Sequence, residues 1–200
     1  MEIRRAIDLG DGTREKISEI FVDGFYGDLK MLCRDREMLT KACAHMFALK
    51  HFHAAVIDGE IAGVIACLGA NSYCVRPDRK MLVRHMGFFR GMFAGYGFKY
   101  LSHNPKYPAE VKTDEKTASV EFVATSSRHR KKGVATAILN HLHALPEYKD
   151  YVLEVKDTNT GAVELYKKMG YREVHRKKFR WAKYADFKCF VYMKYSKPAN

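Results

Sequence analysis

Arg130-Lys131-Lys132-Gly133-Val134-Ala135 follows a run of strand character, Ala118 to Thr125, and opens a run of helical character. A turn in that place offers successive backbone N–H groups and the partial positive charge of a helix N-terminus. Gly133 lets the chain approach an anion with no Cβ in the way. The chemistry this suits is the binding of a phosphate or pyrophosphate. Basic turns between a strand and a helix are also common as solvated surface, so these residues need support from elsewhere in the chain.

A second segment supplies it. Leu153-Glu-Val-Lys-Asp-Thr-Asn159 reads as a strand and a cap, and Gly161 to Tyr171 as a short amphipathic helix. Ala162, Leu165, Tyr166 and Met169 fall on one helical face. Thr158 or Asn159 can cap the start, and Gly170 can end the helix in the left-handed conformation. The pattern Arg-x-x-Gly-x-Ala, followed by Asn-x-x-Ala-x-x-x-Tyr-x-x-x-Gly-Tyr, resembles the two cofactor motifs of the GNAT acyltransferases, in that order and at the expected separation. Ala135 stands where the first motif often has a second glycine, and Tyr171 where the second often has Phe.

The resemblance implies an α/β fold with a mixed, mostly antiparallel central sheet flanked by helices, and acetyl-CoA as co-substrate. It assigns the pyrophosphate to Arg130, Lys131, Lys132, Gly133, Val134, Ala135 and Thr136. The pantetheine arm would pair with the backbone of Val123, Ala124 and Thr125, one of whose N–H groups would polarise the thioester carbonyl. Asn159 would bond the same arm, cap its helix, or do both. Tyr166 would stand near the cofactor sulfur and protonate the departing thiolate, whose ordinary pKa is about 8.5. The bland alternative is a core tyrosine beside Ala162 and Leu165.

Acyl transfer to an amine also needs a base, because the acceptor is protonated near neutrality, with a free pKa of about 8 to about 10. Glu121 and Glu154 lie on the two strands that bracket the cofactor in the family. Alternation places Glu121 on one face with Val123 and Thr125. Either carboxylate could instead pair with a neighbouring Lys or Arg, and nothing in the sequence ranks the two. The acceptor is expected to be a small amine, with a protein N-terminus or lysine as alternative, or no acceptor at all in a CoA-binding regulatory module.

Composition sets limits consistent with this. Two hundred residues, 47% hydrophobic and 29% charged, suffice for one sizeable core, so a single domain over residues 1–200 is expected. The N-terminus lacks the order of a secretory signal and the longest apolar run, Ile61 to Ala70, is half a membrane span, so a cytoplasmic protein without membrane contact is expected. The five cysteines show no Cys-x-x-Cys spacing and read as buried thiols. His51 with His53, and His141 with His143, lack a third ligand at metal-like spacing, so no metal is expected. The formal charge of +12 gathers at Arg128–Lys132, Lys167-Lys168 and Arg176–Arg180, with no recognition helix for nucleic acid.

Ile3–Asp8 reads as a strand, Thr13–Phe25 and Leu29–Leu49 as helices, and Phe52–Ile57 with Ile61–Leu68 as a hairpin about Asp58-Gly59. Pro77 to about Ser102 is one long or broken helix, and His103–Lys116 a loop. Tyr171–Phe179 and Lys188–Tyr195 are closing strands. Met81, Leu82, Met86, Phe88, Phe89, Met92, Phe93 and Tyr96 are expected to pack down, and the aromatic residues among them to wall the acceptor site.

Overall fold

The computed structural model describes residues 1–70, 72–102, 107–180 and 182–198. Its helices are α1 (Thr13–Leu29), α2 (Arg36–Cys43), α3 (Arg79–Met86), α4 (Phe88–Ser102), α5 (Val134–Ala144) and α6 (Thr160–Lys168). Its strands are β1 (Glu2–Arg5), β2 (Phe52–Ile57), β3 (Glu60–Leu68), β4 (Thr117–Thr125), β5 (Asp150–Lys156), β6 (Arg172–Lys178) and β7 (Cys189–Ser196). The strands form one sheet in the order β1-β2-β3-β4-β5-β7-β6. The β4–β5 pairing is parallel and spanned by α5; β1–β2, β2–β3, β5–β7 and β6–β7 are antiparallel. This is the mixed, mostly antiparallel α/β sheet expected from the sequence.

Local chemistry explains most boundaries. Asp58 and Gly59 take left-handed φ values of 51° and 81°, the signature of a two-residue hairpin turn that matches strand twist. β1 ends three residues earlier than expected, and Ala6–Asp8 form a single 3-10 turn. The helix expected over Leu29–Leu49 is divided: α1 runs on to Leu29, and α2 starts only where the Asp35 carboxylate accepts the Met38 N–H at 3.0 Å. A capping side chain thus overrides continuous hydrophobic spacing. The stretch Pro77–Ser102 is broken at Gly87 (φ 78°), with Asp78 capping α3. Of the expected loop His103–Lys116, residues 103–106 lie outside the described residues, and 107–116 hold no helix or strand.

The chain divides into two compact units. The first comprises Met1–Ala66, Asn71–Pro105 and Phe122–Ile138; the second Cys67–Ala70, Lys106–Glu121 and Leu139–Asn200. The first is built around Phe21, Phe47 and Phe52, with ring centroids 5.4 Å (Phe21–Phe47) and 5.7 Å (Phe47–Phe52) apart. The second holds an aromatic cluster in which His143 stacks on Tyr195 at 3.9 Å beside Tyr151 and Tyr171. Burial there pulls the His143 imidazole down to about 4, so it is a neutral core residue at ordinary pH. Cys33, Cys43, Cys67 and Cys74 are buried, and burial pushes the Cys43 and Cys67 thiols up to about 12; Cys189 is half-buried.

Candidate active site

In the first unit the candidate anion loop is fixed by groups that sequence reasoning did not single out. The Asp23 carboxylate of α1 accepts from Arg130 Nη2 at 2.9 Å and from the Ser127 N–H at 3.2 Å, and also faces Arg36 Nη1 at 3.4 Å. Arg130 therefore spends part of its donor fork holding the loop to α1, and its Nε lies 3.5 Å from the Thr125 carbonyl. Lys131 (φ 61°) and Gly133 (φ 75°) both take left-handed conformations ahead of α5. The first N–H to join the helical ladder is that of Ala137, bonding the Gly133 carbonyl at 2.9 Å. The N–H groups of Val134, Ala135 and Thr136 thus precede the ladder and have no carbonyl one turn back in the helix.

The surroundings of this turn fit a phosphate. A Cβ built on Gly133 would meet no atom within 4 Å, so the space beside it is open. Arg128, Lys131 and Lys132 are exposed and supply positive charge, and the His129 Nδ1 is buried without a hydrogen-bond partner among the described residues. Open space, N–H donors ahead of the helical ladder and left-handed backbone are the elements of an anion nest.

Gly63 of β3 sets how closely the strand ahead of the loop can lie. A Cβ there would stand 2.6 Å from Val134 Cγ1 and 2.9 Å from the Ala124 carbonyl oxygen. The signal for this was in the sequence, since a glycine inside a strand pattern marks a close backbone approach. Gly63→Ala is expected to cost about 1–3 kcal/mol through overpacking, read as a lowered Tm, and to weaken anion binding at the displaced loop. An unchanged Tm would mean that β4 and α5 move aside freely.

Phe122 interrupts β4. Its φ of 51° is unusual for a bulky residue. Its ring packs against Phe21, Phe25 and Phe52 at 5.4, 6.0 and 6.4 Å. Aromatic pairs of about 0.5–1.5 kcal/mol each offset a backbone strain of about 1–3 kcal/mol. The left-handed residue breaks the period-two alternation, so the common face expected for Glu121, Val123 and Thr125 does not carry across it. Sequence reasoning assumed a regular strand.

The second unit brings both candidate carboxylates to one face. Ser119 pairs with Val152 in the parallel ladder, which covers Thr117–Ser119 against Asp150–Val152. Glu121 and Glu154 are each two residues further along, on the same side as their level partners. Tyr107 lies over this face, beside the cluster of Val111, Val152 and Tyr192. Its hydroxyl is 2.5 Å from Ser119 Oγ, and Ser119 Oγ donates to Glu121 Oε1 at 3.0 Å. Because the serine proton is committed to the carboxylate, the tyrosine must be the donor in the first bond. The result is a directed chain, Tyr107 to Ser119 to Glu121. Burial pushes the Tyr107 hydroxyl far up, helped by the carboxylates of Glu121 and Glu154, so it remains protonated. Neither Tyr107 nor Ser119 carried a sequence signal.

Glu154 is exposed, yet loss of surrounding water raises its carboxyl above the ordinary range; the Tyr192 hydroxyl and the Lys177 charge act in the opposite sense. Asn159 caps α6 by accepting the Ala162 N–H at 3.3 Å, and Gly170 (φ 86°) ends the segment, both as expected. Tyr166 is 5% exposed, its ring 5.7 Å from Tyr171, and burial raises its hydroxyl strongly. Tyr171 in turn meets Tyr195, which lies opposite Tyr151 on β5. Tyr151 and Glu154 differ by an odd number of residues and so face opposite sides of the strand. Among the described residues no group of three or more His, Cys, Asp or Glu is placed to hold a metal ion.

A model of the acetyltransferase (GNAT) family matches residues 14–171. No curated protein sequence matches significantly. Similar solved structures include a protein of Pyrococcus horikoshii OT3, at 16% identity, with 99% of each chain covered and a TM-score of 0.60. An N-acetyltransferase from Staphylococcus aureus Mu50 has 17% identity, 98% of this chain and 100% of that chain covered, and a TM-score of 0.56. The ribosomal-protein-S18-alanine N-acetyltransferase from Escherichia coli has 11% identity, 100% and 96% covered, and a TM-score of 0.57. At these identities the likeness is one of fold.

Proposed function

Since the chain belongs to the GNAT acetyltransferase family, we propose that it is an N-acetyltransferase in which a primary amine directly attacks acetyl-CoA within a ternary complex. The observation that carries this is the turn Arg130–Gly133 leading into α5, with its left-handed Lys131 and Gly133 and its unladdered N–H groups at Val134, Ala135 and Thr136. Those groups hold the pyrophosphate, and Lys131 and Lys132 neutralise its charge. Arg130 acts chiefly through Asp23, keeping the turn in place. The backbone of Val123, Ala124 and Thr125 aligns the pantetheine arm as an added strand, and Asn159 positions it from the start of α6. Acetyl-CoA supplies an activated acyl group.

A carboxylate of the Glu121/Glu154 face takes the proton that the amine nitrogen must lose as it bonds to the acyl carbon. Tyr166, held protonated by burial in the cluster on the side of β5 opposite Glu154, gives a proton to the sulfur as the carbon–sulfur bond breaks, with the thioester lying between the two sides beyond Ser119 and Val152, where the β4–β5 ladder ends. Tyr107 and Ser119 orient the Glu121 carboxylate by donating toward it.

The acceptor we favour is a small amine. The aromatic wall expected from Phe89, Phe93 and Tyr96 does not support it, because these residues are 85%, 67% and 61% exposed. What supports it is the cover laid by Tyr107 and Val111 over the carboxylate face, which narrows the approach to Glu121. A panel of amines and peptides, assayed for CoA release, tests both points: turnover with peptides alone overturns the acceptor class, and turnover with none overturns catalysis in favour of a CoA-binding module.

Binding is tested separately. At about 100 times its dissociation constant acetyl-CoA is expected to add about 2.7 kcal/mol, a Tm rise of roughly 5–10 °C for a chain of this size. Gly133→Val should fold and lose most of that rise, because its side chain would occupy the open space in a strained left-handed backbone. No shift in the parent protein would refute the anion site.

A further inference from the structure

The face of α4 turned to solvent is aromatic. Phe88, Phe89, Phe93 and Tyr96 are 65%, 85%, 67% and 61% exposed, and their spacing puts them on one side of the helix. The opposite side, Gly91, Ala94, Gly95 and Phe98, is buried. It packs hard on α3: a Cβ at Gly91 would fall 2.5 Å from the Val83 backbone, and one at Gly95 3.0 Å from Arg79 Cγ. The helix has therefore already used one apolar face in its own unit and presents a second, as a convex ridge.

The α3–α4 pair that presents this ridge carries one sign of charge. Arg79, Lys80, Arg84 and Arg90 are all exposed, and Arg79 to Ser102 contains no Asp or Glu. The Arg79 guanidinium sits 4.7 Å from the centre of the Tyr96 ring, joining the basic residues to the aromatic stripe. Asp78, just before α3, is occupied as its cap, accepting the Lys80 N–H at 2.7 Å.

We propose that this face of α4 is a docking surface for an anionic lipid bilayer, the rings entering the headgroup region and the four basic side chains pairing with lipid phosphates. Charge selects the occupant. A second copy of the chain would bring identical basic residues against these, whereas an anionic surface complements them. Shape selects it further: a convex ridge needs no matching groove to enter a headgroup layer, and Phe and Tyr flanked by Arg and Lys are the side chains that partition there. No described helix is long and apolar enough to cross a membrane, so the contact is peripheral. The sequence-based expectation of no membrane contact rested on the lack of a span, which does not bear on a surface.

The test is co-sedimentation of the full chain with vesicles of phosphatidylcholine alone and of phosphatidylcholine with phosphatidylglycerol. Binding is expected only to the anionic vesicles and should fall with added salt. Phe88→Ser, Phe89→Ser and Phe93→Ser combined should weaken it at least about tenfold. Arg84→Gln and Arg90→Gln should each weaken it roughly fivefold. Should the triple variant fail to fold, the two arginine variants and vesicle-dependent fluorescence of Phe89→Trp carry the same question. Absence of binding to anionic vesicles, or equal binding by the variants, would overturn the proposal. So would self-association in sedimentation velocity that the phenylalanine changes abolish, or tighter binding to poly-glutamate than to the vesicles, which would point to an acidic protein.

Discussion

Tyr166→Phe is expected to lower turnover by about 10²–10⁴ while leaving acetyl-CoA affinity unchanged. The ring is 5% exposed and packs against Tyr171, and phenylalanine keeps that packing. Only the hydroxyl is removed, so stability should change little. Burial raises this hydroxyl well above its ordinary value of 10, so it holds its proton across the whole assay range. It should therefore add no alkaline limb to the rate profile, which is where a general acid that loses its proton would show. The measurement is kcat beside a separate binding titration. Unchanged kcat would make Tyr166 a core residue whose ring alone is used.

Glu121→Gln and Glu154→Gln are expected to differ in their pH profiles, and the difference identifies the base. A general base works deprotonated, so rate rises with pH through its pKa, and removing it costs most at low pH, where little free amine exists to substitute for it. The raised Glu154 carboxyl would place that limb above the usual glutamate range of about 4.3. Stability supplies an independent reading. A carboxyl whose folded-state pKa is raised favours the fold below that pKa and opposes it above, once ionised in its crowded setting. Glu154→Gln should thus leave the protein no less stable, or slightly more stable, at neutral pH. For Glu121 the companion variant is Tyr107→Phe, which breaks the Tyr107–Ser119–Glu121 chain. If Glu121 is the base, Tyr107→Phe should lower kcat by less than Glu121→Gln does. Equal, pH-independent losses in both glutamine variants would assign the two carboxylates structural roles.

What the sequence by itself determined is local. The Asp58-Gly59 turn, the Asn159 cap, the Gly170 terminus and the turn at Gly133 are each decided by the steric and hydrogen-bonding properties of a few adjacent residues, so their types and spacing sufficed. The two ordered motifs placed the family and, with it, the sheet. Tertiary structure decided what depends on residues distant in the chain. Asp23 meets Arg130 across 107 positions, and Tyr107 reaches Ser119 from a segment with no regular structure. Phe122 takes a left-handed φ because three distant rings receive its side chain, and that one residue overturns a face assignment made from alternation. The aromatic residues of α4 show the same division. Their hydrophobicity was legible and their burial was inferred from it, but glycines on the opposite side let α4 close on α3 at near contact. That contact turned the glycine face inward and left Phe89 and Phe93 facing water, an outcome set by which face packs more closely rather than by which is more apolar.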